Sequence, residues 1–269
     1  MRWGWLLLGI TMSIQANALE VAVSMAPLAW LVEQIGGHEV HVLTMARTGV
    51  EPEMYEPTPR QLQNLSKVQI YLALGLPFEQ QWLSRLRAGS SMRVIDVGML
   101  RPNEDPHLWL SVSRMKIIAQ RMAAAMQASD AVHAALYQQR LQVLMLEISS
   151  LDRQLQQDFQ DIPVEHRQFM LIHPSLTYFA EDYGLTQWVI AREDEEPSPR
   201  HIQELLRLAR QAHLQVIFSE PQFSSRATQA IAEDLKLPVV PLDTLQENWP
   251  VMMQQLGLKL SASMRRSIP

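Results

Sequence analysis

Four short segments carry side chains that could hold a cation. In GVEPEMYEP, Glu51, Glu53 and Glu56 crowd three carboxylates into six residues between prolines. Like charges repel, so such a group is either solvated or meets a cation. His107 stands in DPHLW (105–109), behind a proline and ahead of an apolar pair. That setting predicts a half-buried imidazole, which suits a hydrogen-bonded core residue as well as a ligand. His173 follows the apolar run FMLI directly and precedes Pro174. Asp243 ends the apolar run LPVVPL, and capping a helix is its other natural role. Two imidazoles and two carboxylates drawn from separate parts of the chain would make a closed oxygen–nitrogen site for a divalent transition metal.

Each of these residues falls at the end of an expected strand or in the loop after one. LEVAVSM (19–25), HEVHVLTM (38–45), QIYLALG (69–75) and MRVIDVG (92–98) read as strands, with helical segments between them. TPRQLQNLSK reads as a short helix with Thr58 as its cap and Pro59 at its first position. The same alternation returns in QFMLI, QWVIA (187–191), QVIFSE (215–220) and LPVVPLD (237–243). Strands separated by helices imply βαβ units and parallel sheets. Such sheets bind ligands beyond the carboxyl ends of their strands. Between the two series there is no Gly from Gly98 to Gly184 and no Pro from Pro106 to Pro163. Tyr137, Leu141, Leu144, Ile148, Leu151 and Leu155 form one apolar stripe at helical spacing. A helix from Asp130 to about Gln160 would span roughly 45 Å. It reads either as a coiled-coil seam or as a rod across two lobes of one chain. The resumed α/β pattern favours the rod. The expected organisation is an α/β chain of two parallel-sheet lobes, 19–128 and 162–269, joined by a long helix over 129–161.

Composition narrows the chemistry further. The 269 residues are 47% hydrophobic and 19% charged, with a net charge of -5, 10 Gly and 16 Pro. This excludes collagen-like and disordered chains, and the acidic balance argues against a nucleic-acid partner. Zero Cys removes thiolate zinc sites, iron–sulfur clusters, disulfides and cysteine nucleophiles together. No GxSxG, GxxxxGKS, HExxH or strand-linked GxGxxG occurs, so no enzyme is expected. Residues 1–18 read as a secretory signal: Arg2, an apolar run from Trp3 to Ile14, and Ala16-Asn17-Ala18 as the cleavage site. Cleavage near Ala18 would leave an exported protein, most simply periplasmic, with no membrane insertion afterwards. The remaining histidines, His38, His41, His133, His166, His201 and His213, fall on polar stretches and read as surface residues.

At these motifs the chain resembles the periplasmic zinc- and manganese-binding receptors of ABC importers, the group with a rigid linking helix. The resemblance covers nearly all of the chain after the signal. It rests on MAPLAWLVEQIGG, GVEPEMYEPTPRQL, DPHLWL, IHPSLTYFAEDYGL, EEPSPRHIQEL, IFSEPQFSSR and VVPLD in this order. It implies a metal in the cleft between lobes, handed as cargo to a membrane permease by a monomeric receptor. Carried over position by position, it implies His107, His173 and Asp243 as ligands. The first ligand, a His in the family pattern G-x-D-P-H-x-Y-E-P-T-P, falls on Glu53, with Glu51 as a further metal or water contact. Manganese receptors of the group also use two His and two carboxylates, but place their Glu third. Here His173 holds that position, as in zinc receptors. Zn2+ therefore ranks first, with Mn2+ or Fe2+ as alternatives because a carboxylate replaces an imidazole. A metal-binding adhesin is the other reading. The His-rich loop of many zinc receptors is missing, since MLRPNE (99–104) has no His.

Overall fold

The computed structural model describes residues 18–46, 55–87, 91–190, 198–221 and 226–266. Residues 1–17 of the expected signal, Glu51 and Glu53 lie outside the described residues. Strands β1 (Leu19–Val23), β2 (Val40–Thr44), β3 (Ile70–Ala73) and β4 (Arg93–Asp96) form a parallel sheet in the order β2-β1-β3-β4. Strands β5 (Gln168–Leu171), β6 (Thr186–Val189), β7 (Ile217–Ser219) and β8 (Val239–Pro241) form a second parallel sheet in the order β6-β5-β7-β8. Both halves thus share one topology, with the first strand of each next to the edge. The helices are α1 (Ala26–Gly36), α2 (Pro59–Leu65), α3 (Pro77–Arg87), α4 (Val112–Ser129), α5 (Ala134–Gln160), α6 (Thr177–Tyr183), α7 (Pro199–Gln211), α8 (Arg226–Leu235) and α9 (Trp249–Arg266).

The expected cap of α2 is present. The Thr58 hydroxyl accepts from the Gln61 N–H, and the Gln61 side chain returns to the Thr58 N–H. Asp130 behaves differently from the sequence reading. The rod begins at Ala134, not at Asp130, and Asp130 instead ends α4. Its carboxylate accepts from His133 Nδ1 and from the Tyr137 hydroxyl, both at 2.7 Å. Those bonds turn the chain from α4 into α5 without Gly or Pro. The 27 residues of α5 still span about 40 Å.

One large core joins the two halves. The stripe Tyr137, Leu141, Leu144, Ile148, Leu151 and Leu155 of α5 is buried in the same cluster as Val21 and Leu72 of the first sheet and Phe169 and Phe218 of the second. A methyl group at Gly257 would collide with Leu155, so glycine lets α9 lie close on α5. A smaller cluster, with Met170, Ile172, Ile217 and Leu205, fills the opposite face of the second sheet. Alternate residues of β5 and β7 therefore belong to different cores. Among the described residues no helix is long and apolar enough to cross a membrane.

Candidate metal centre

The loop after β4 brings His107 to the junction of the halves. Asp105 shapes it: one carboxylate oxygen accepts from the His107 backbone N–H at 2.9 Å and from its Nδ1 at 2.7 Å. A neutral imidazole carries one N–H. The proton held on Nδ1 leaves Nε2 with a lone pair directed elsewhere, the arrangement a metal-ligating histidine uses. Burial alone would raise the Asp105 carboxyl, but the His107 contacts and a hydrogen bond from Thr177 hold it below the usual range. Thr177 belongs to α6, and the neighbouring Tyr178 hydroxyl donates to the Asp105 carbonyl at 2.9 Å. The second half therefore clamps the loop that carries His107.

His173 arrives from the loop after β5. Its Nε2 lies 3.1 Å from His107 Nε2, with the rings inclined at 68°. Both histidines are only 5% exposed. Burial pushes the His173 imidazole down to about 4, and the positive charge of a protonated His107 would add to this, against a smaller pull from Asp105. His173 is therefore neutral at neutral pH. Two buried nitrogen donors from the two halves face one another, and a borderline cation suits such a pair.

Asp243 is half-buried in the loop after β8. Its Oδ1 accepts from the Leu245 N–H at 3.1 Å, a local turn bond and not a helix cap. The indole of Trp109 donates to the carbonyl of Thr244 at 2.8 Å, and the indole of Trp249 donates to the carbonyl of Trp109 at 2.7 Å. These two bonds tie the Asp243 loop to the His107 loop.

Both flanks of the segment bearing Glu51 and Glu53 are anchored near the strand ends. Met45 and Ala46 donate to the carbonyls of Val23 and Ser24. On the other flank Tyr55 packs edge-on against Phe78, and Gln61 donates to the Met45 carbonyl at 2.8 Å. Among the described residues, His107 and His173 come together as the sequence suggests. No group of three His, Asp or Glu side chains close enough to hold a metal forms among them, so Asp243 does not complete a trio there. Asp105 was not among the sequence candidates for a role, although its place two residues before His107 was the available signal.

The family model for "Zinc-uptake complex component A periplasmic" (ZnuA) matches residues 21–262. The chain belongs to this family. ZnuA-family likeness extends to solved structures: a crystal structure of ZnuA is 33% identical, covers 92% of this chain and all of its own, and superposes with a TM-score of 0.86. The manganese ABC transporter substrate-binding lipoprotein PsaA of Streptococcus pneumoniae is 25% identical over 252 residues, 86% of this chain and 81% of that protein. The periplasmic zinc-binding protein TroA of Treponema pallidum shares the fold at 20% identity, with a TM-score of 0.82 over 92% of this chain and 99% of that one. As a ZnuA-family member the chain is a solute-binding receptor of the zinc and manganese type. Its family consists of receptors, not enzymes, and works outside the cytoplasmic membrane.

Proposed function

We propose that this receptor captures one divalent transition-metal ion, zinc before manganese or iron, between His107 and His173. Glu53 and Asp243 complete the coordination, with Glu51 as a further metal or water contact. The observation that carries this reading is the pair of buried Nε2 atoms at 3.1 Å, one from each half. His107 already has its second nitrogen committed to Asp105. Binding then needs His173 to give up the proton that its Nε2 shares with His107, and both nitrogens to turn toward an ion. Two carboxylates would neutralise a divalent charge, and the general rise of affinity toward zinc along the first-row metals ranks it above manganese.

The ion is cargo. The receptor, exported after cleavage near Ala18, delivers it to the membrane permease of an ABC importer and works as a monomer. Calorimetric titration of the chelator-stripped protein tests the capture step. About one zinc per chain at submicromolar Kd is expected, since structural zinc sites bind far more tightly than that. Failure of every divalent metal to bind at that level would leave the adhesin reading in its place.

A further inference from the structure

We propose that Tyr178, with Arg114 seated on its ring, is a positioning latch that fixes the spacing of the two imidazoles and sets how long a captured ion is held. The inference rests on the reading of His107 and His173 as metal donors given above, and names what keeps them together. Tyr178 stands five residues after His173, in the first turn of α6. Its hydroxyl crosses to the other half and donates to the carbonyl of Asp105 at 2.9 Å. Asp105 in turn stands two residues before His107. Thr177, next to Tyr178, bonds to the Asp105 carboxylate. One short segment, 173–178, thus carries one imidazole and grips the loop that carries the other.

The His107 loop depends on such a grip. Between β4 and Asp105 it bonds largely to itself: Met99 N–H to Asp96, Arg101 N–H to the Glu104 carboxylate, and Glu104 N–H to the Arg101 carbonyl. Arg121 holds its beginning, at the carbonyls of Val97 and Gly98. Helix α6, by contrast, is fastened on several sides. Asp182 accepts from the Ser111 and Ser113 hydroxyls at 2.7 and 2.9 Å, and Tyr183 donates to Asp152 at 3.2 Å. The Leu176 N–H at its start donates to Gln187 at 3.1 Å. Tyr178 itself is buried, so packing holds its ring. The Arg114 guanidinium lies over that ring, 3.5 Å from the centroid, and pairs with Glu181 of α6 at 3.5 Å. A cation on the ring face adds to the hold.

The latch acts on release and not on capture. An ion held by several donors leaves only after one donor lets go and moves away before it rebinds. A donor kept close by the fold rebinds first, because its effective concentration beside the ion stays high. With the Tyr178 hydroxyl in place, an imidazole that lets go stays within reach of the ion. Without that bond the His107 loop is loosened at Asp105, and escape competes better with rebinding. Uptake depends on diffusion of the ion to its first donor, which the latch leaves unchanged. The effect on affinity therefore falls on the dissociation rate. Arg114 acts one step back, through the ring of Tyr178.

Stopped-flow kinetics of the full chain, with zinc and a fluorescent chelator, test the latch. Tyr178→Phe keeps the ring under Arg114 and removes the hydroxyl. It should release zinc about 10-fold faster, while uptake stays within about twofold of wild type. Arg114→Met should speed release about 2–5-fold. It should add nothing in the Tyr178→Phe background, where the hydroxyl it steadies is gone. In metal-free protein the His107 backbone N–H should exchange with water faster in Tyr178→Phe than in wild type. Lys116→Met is the control, since Lys116 also lies on α4 but pairs with Asp152 at 2.8 Å. It should lower stability in urea and leave zinc release unchanged. Release at the wild-type rate from Tyr178→Phe overturns the proposal, and so does equally fast release from Lys116→Met. An Arg114→Met effect that persists in the Tyr178→Phe background removes Arg114 from the latch. His107→Ala and His173→Ala keep the two readings apart. Zinc binding unchanged in both would mean that the metal centre is misassigned. Zinc lost in both, with Tyr178→Phe unaffected, defeats the latch alone.

Discussion

The indole of Trp109 reaches across to the carbonyl of Thr244 at 2.8 Å, linking two loops 135 residues apart in sequence. One residue on either side of this bond matters for the site: His107 lies two positions before Trp109, and Asp243 lies next to Thr244. The bond sets the spacing between an imidazole loop and a carboxylate loop. Trp109→Phe keeps most of the ring packing and removes the donor. It should cost about 1–3 kcal/mol, the price of a buried carbonyl left without its donor. Zinc affinity should fall with it, because Asp243 is no longer held. Denaturant unfolding and zinc titration of the same variant measure the two effects, and an unchanged Kd would show that the loops keep their spacing by other means.

Asp105→Asn keeps the shape of the His107 loop but weakens its acceptor. The neutral amide is a poorer partner for Nδ1–H and leaves the ring orientation less fixed. A loss of about 10–100-fold in zinc affinity is expected, with secondary structure by circular dichroism unchanged. Affinity within twofold of wild type would mean that packing alone orients His107.

His173 makes the metal-free protein sensitive to acid. Its folded-state pKa of about 4 lies below the ordinary 6.5, so the unfolded chain takes up the proton first. Stability from this group is full above about pH 6.5 and declines as pH falls toward 4, by at most roughly 3 kcal/mol. Chelator-treated wild type and His173→Gln, unfolded in urea at pH 7 and pH 4.5, should differ in this dependence. Equal slopes with pH would show that other groups dominate.

Glu79 holds the turn after β3. Three successive backbone N–H groups, the Tyr71 hydroxyl and the Ser24 hydroxyl all donate to its carboxylate. Burial pushes the Glu79 carboxyl up, against the pull of these donors. Glu79→Ala strands buried donors and should destabilise by about 3 kcal/mol or more. A chemical-denaturation midpoint equal to that of wild type would contradict this assignment.

The alternation of strands and helices was legible because Gly, Pro and capping residues punctuate it. Thr58-Pro59 starts α2, and Gly184 in the left-handed conformation ends α6. Where such residues are absent, legibility failed. Asp130 has the composition of a helix start, yet bonds to His133 and Tyr137 make it the end of α4. The two histidines were legible as strand-end residues, and the structure brings them together. Their partners were not. Asp105 acts through a bond two residues long, and Trp109 through a contact fixed only by the tertiary fold.

The shared core makes wide hinge motion costly. Residues of both sheets and of α5 lie in one cluster, and Ser111 and Ser113 of the first half both donate to Asp182 of α6, at 2.7 and 2.9 Å. Zinc loading should therefore alter loops locally and leave the relation of the sheets unchanged. Solution scattering of metal-free and zinc-loaded protein should give superimposable profiles at low angle. A clear contraction on loading would indicate domain closure.

Competitive zinc titration of wild type, His107→Ala and His173→Ala against a chelator of known affinity tests the metal centre most directly. The arrangement predicts about one zinc per wild-type chain, displaced poorly by manganese, and a loss of at least about 100-fold in each variant. Wild-type affinity retained in both variants would place the ion elsewhere and contradict the account.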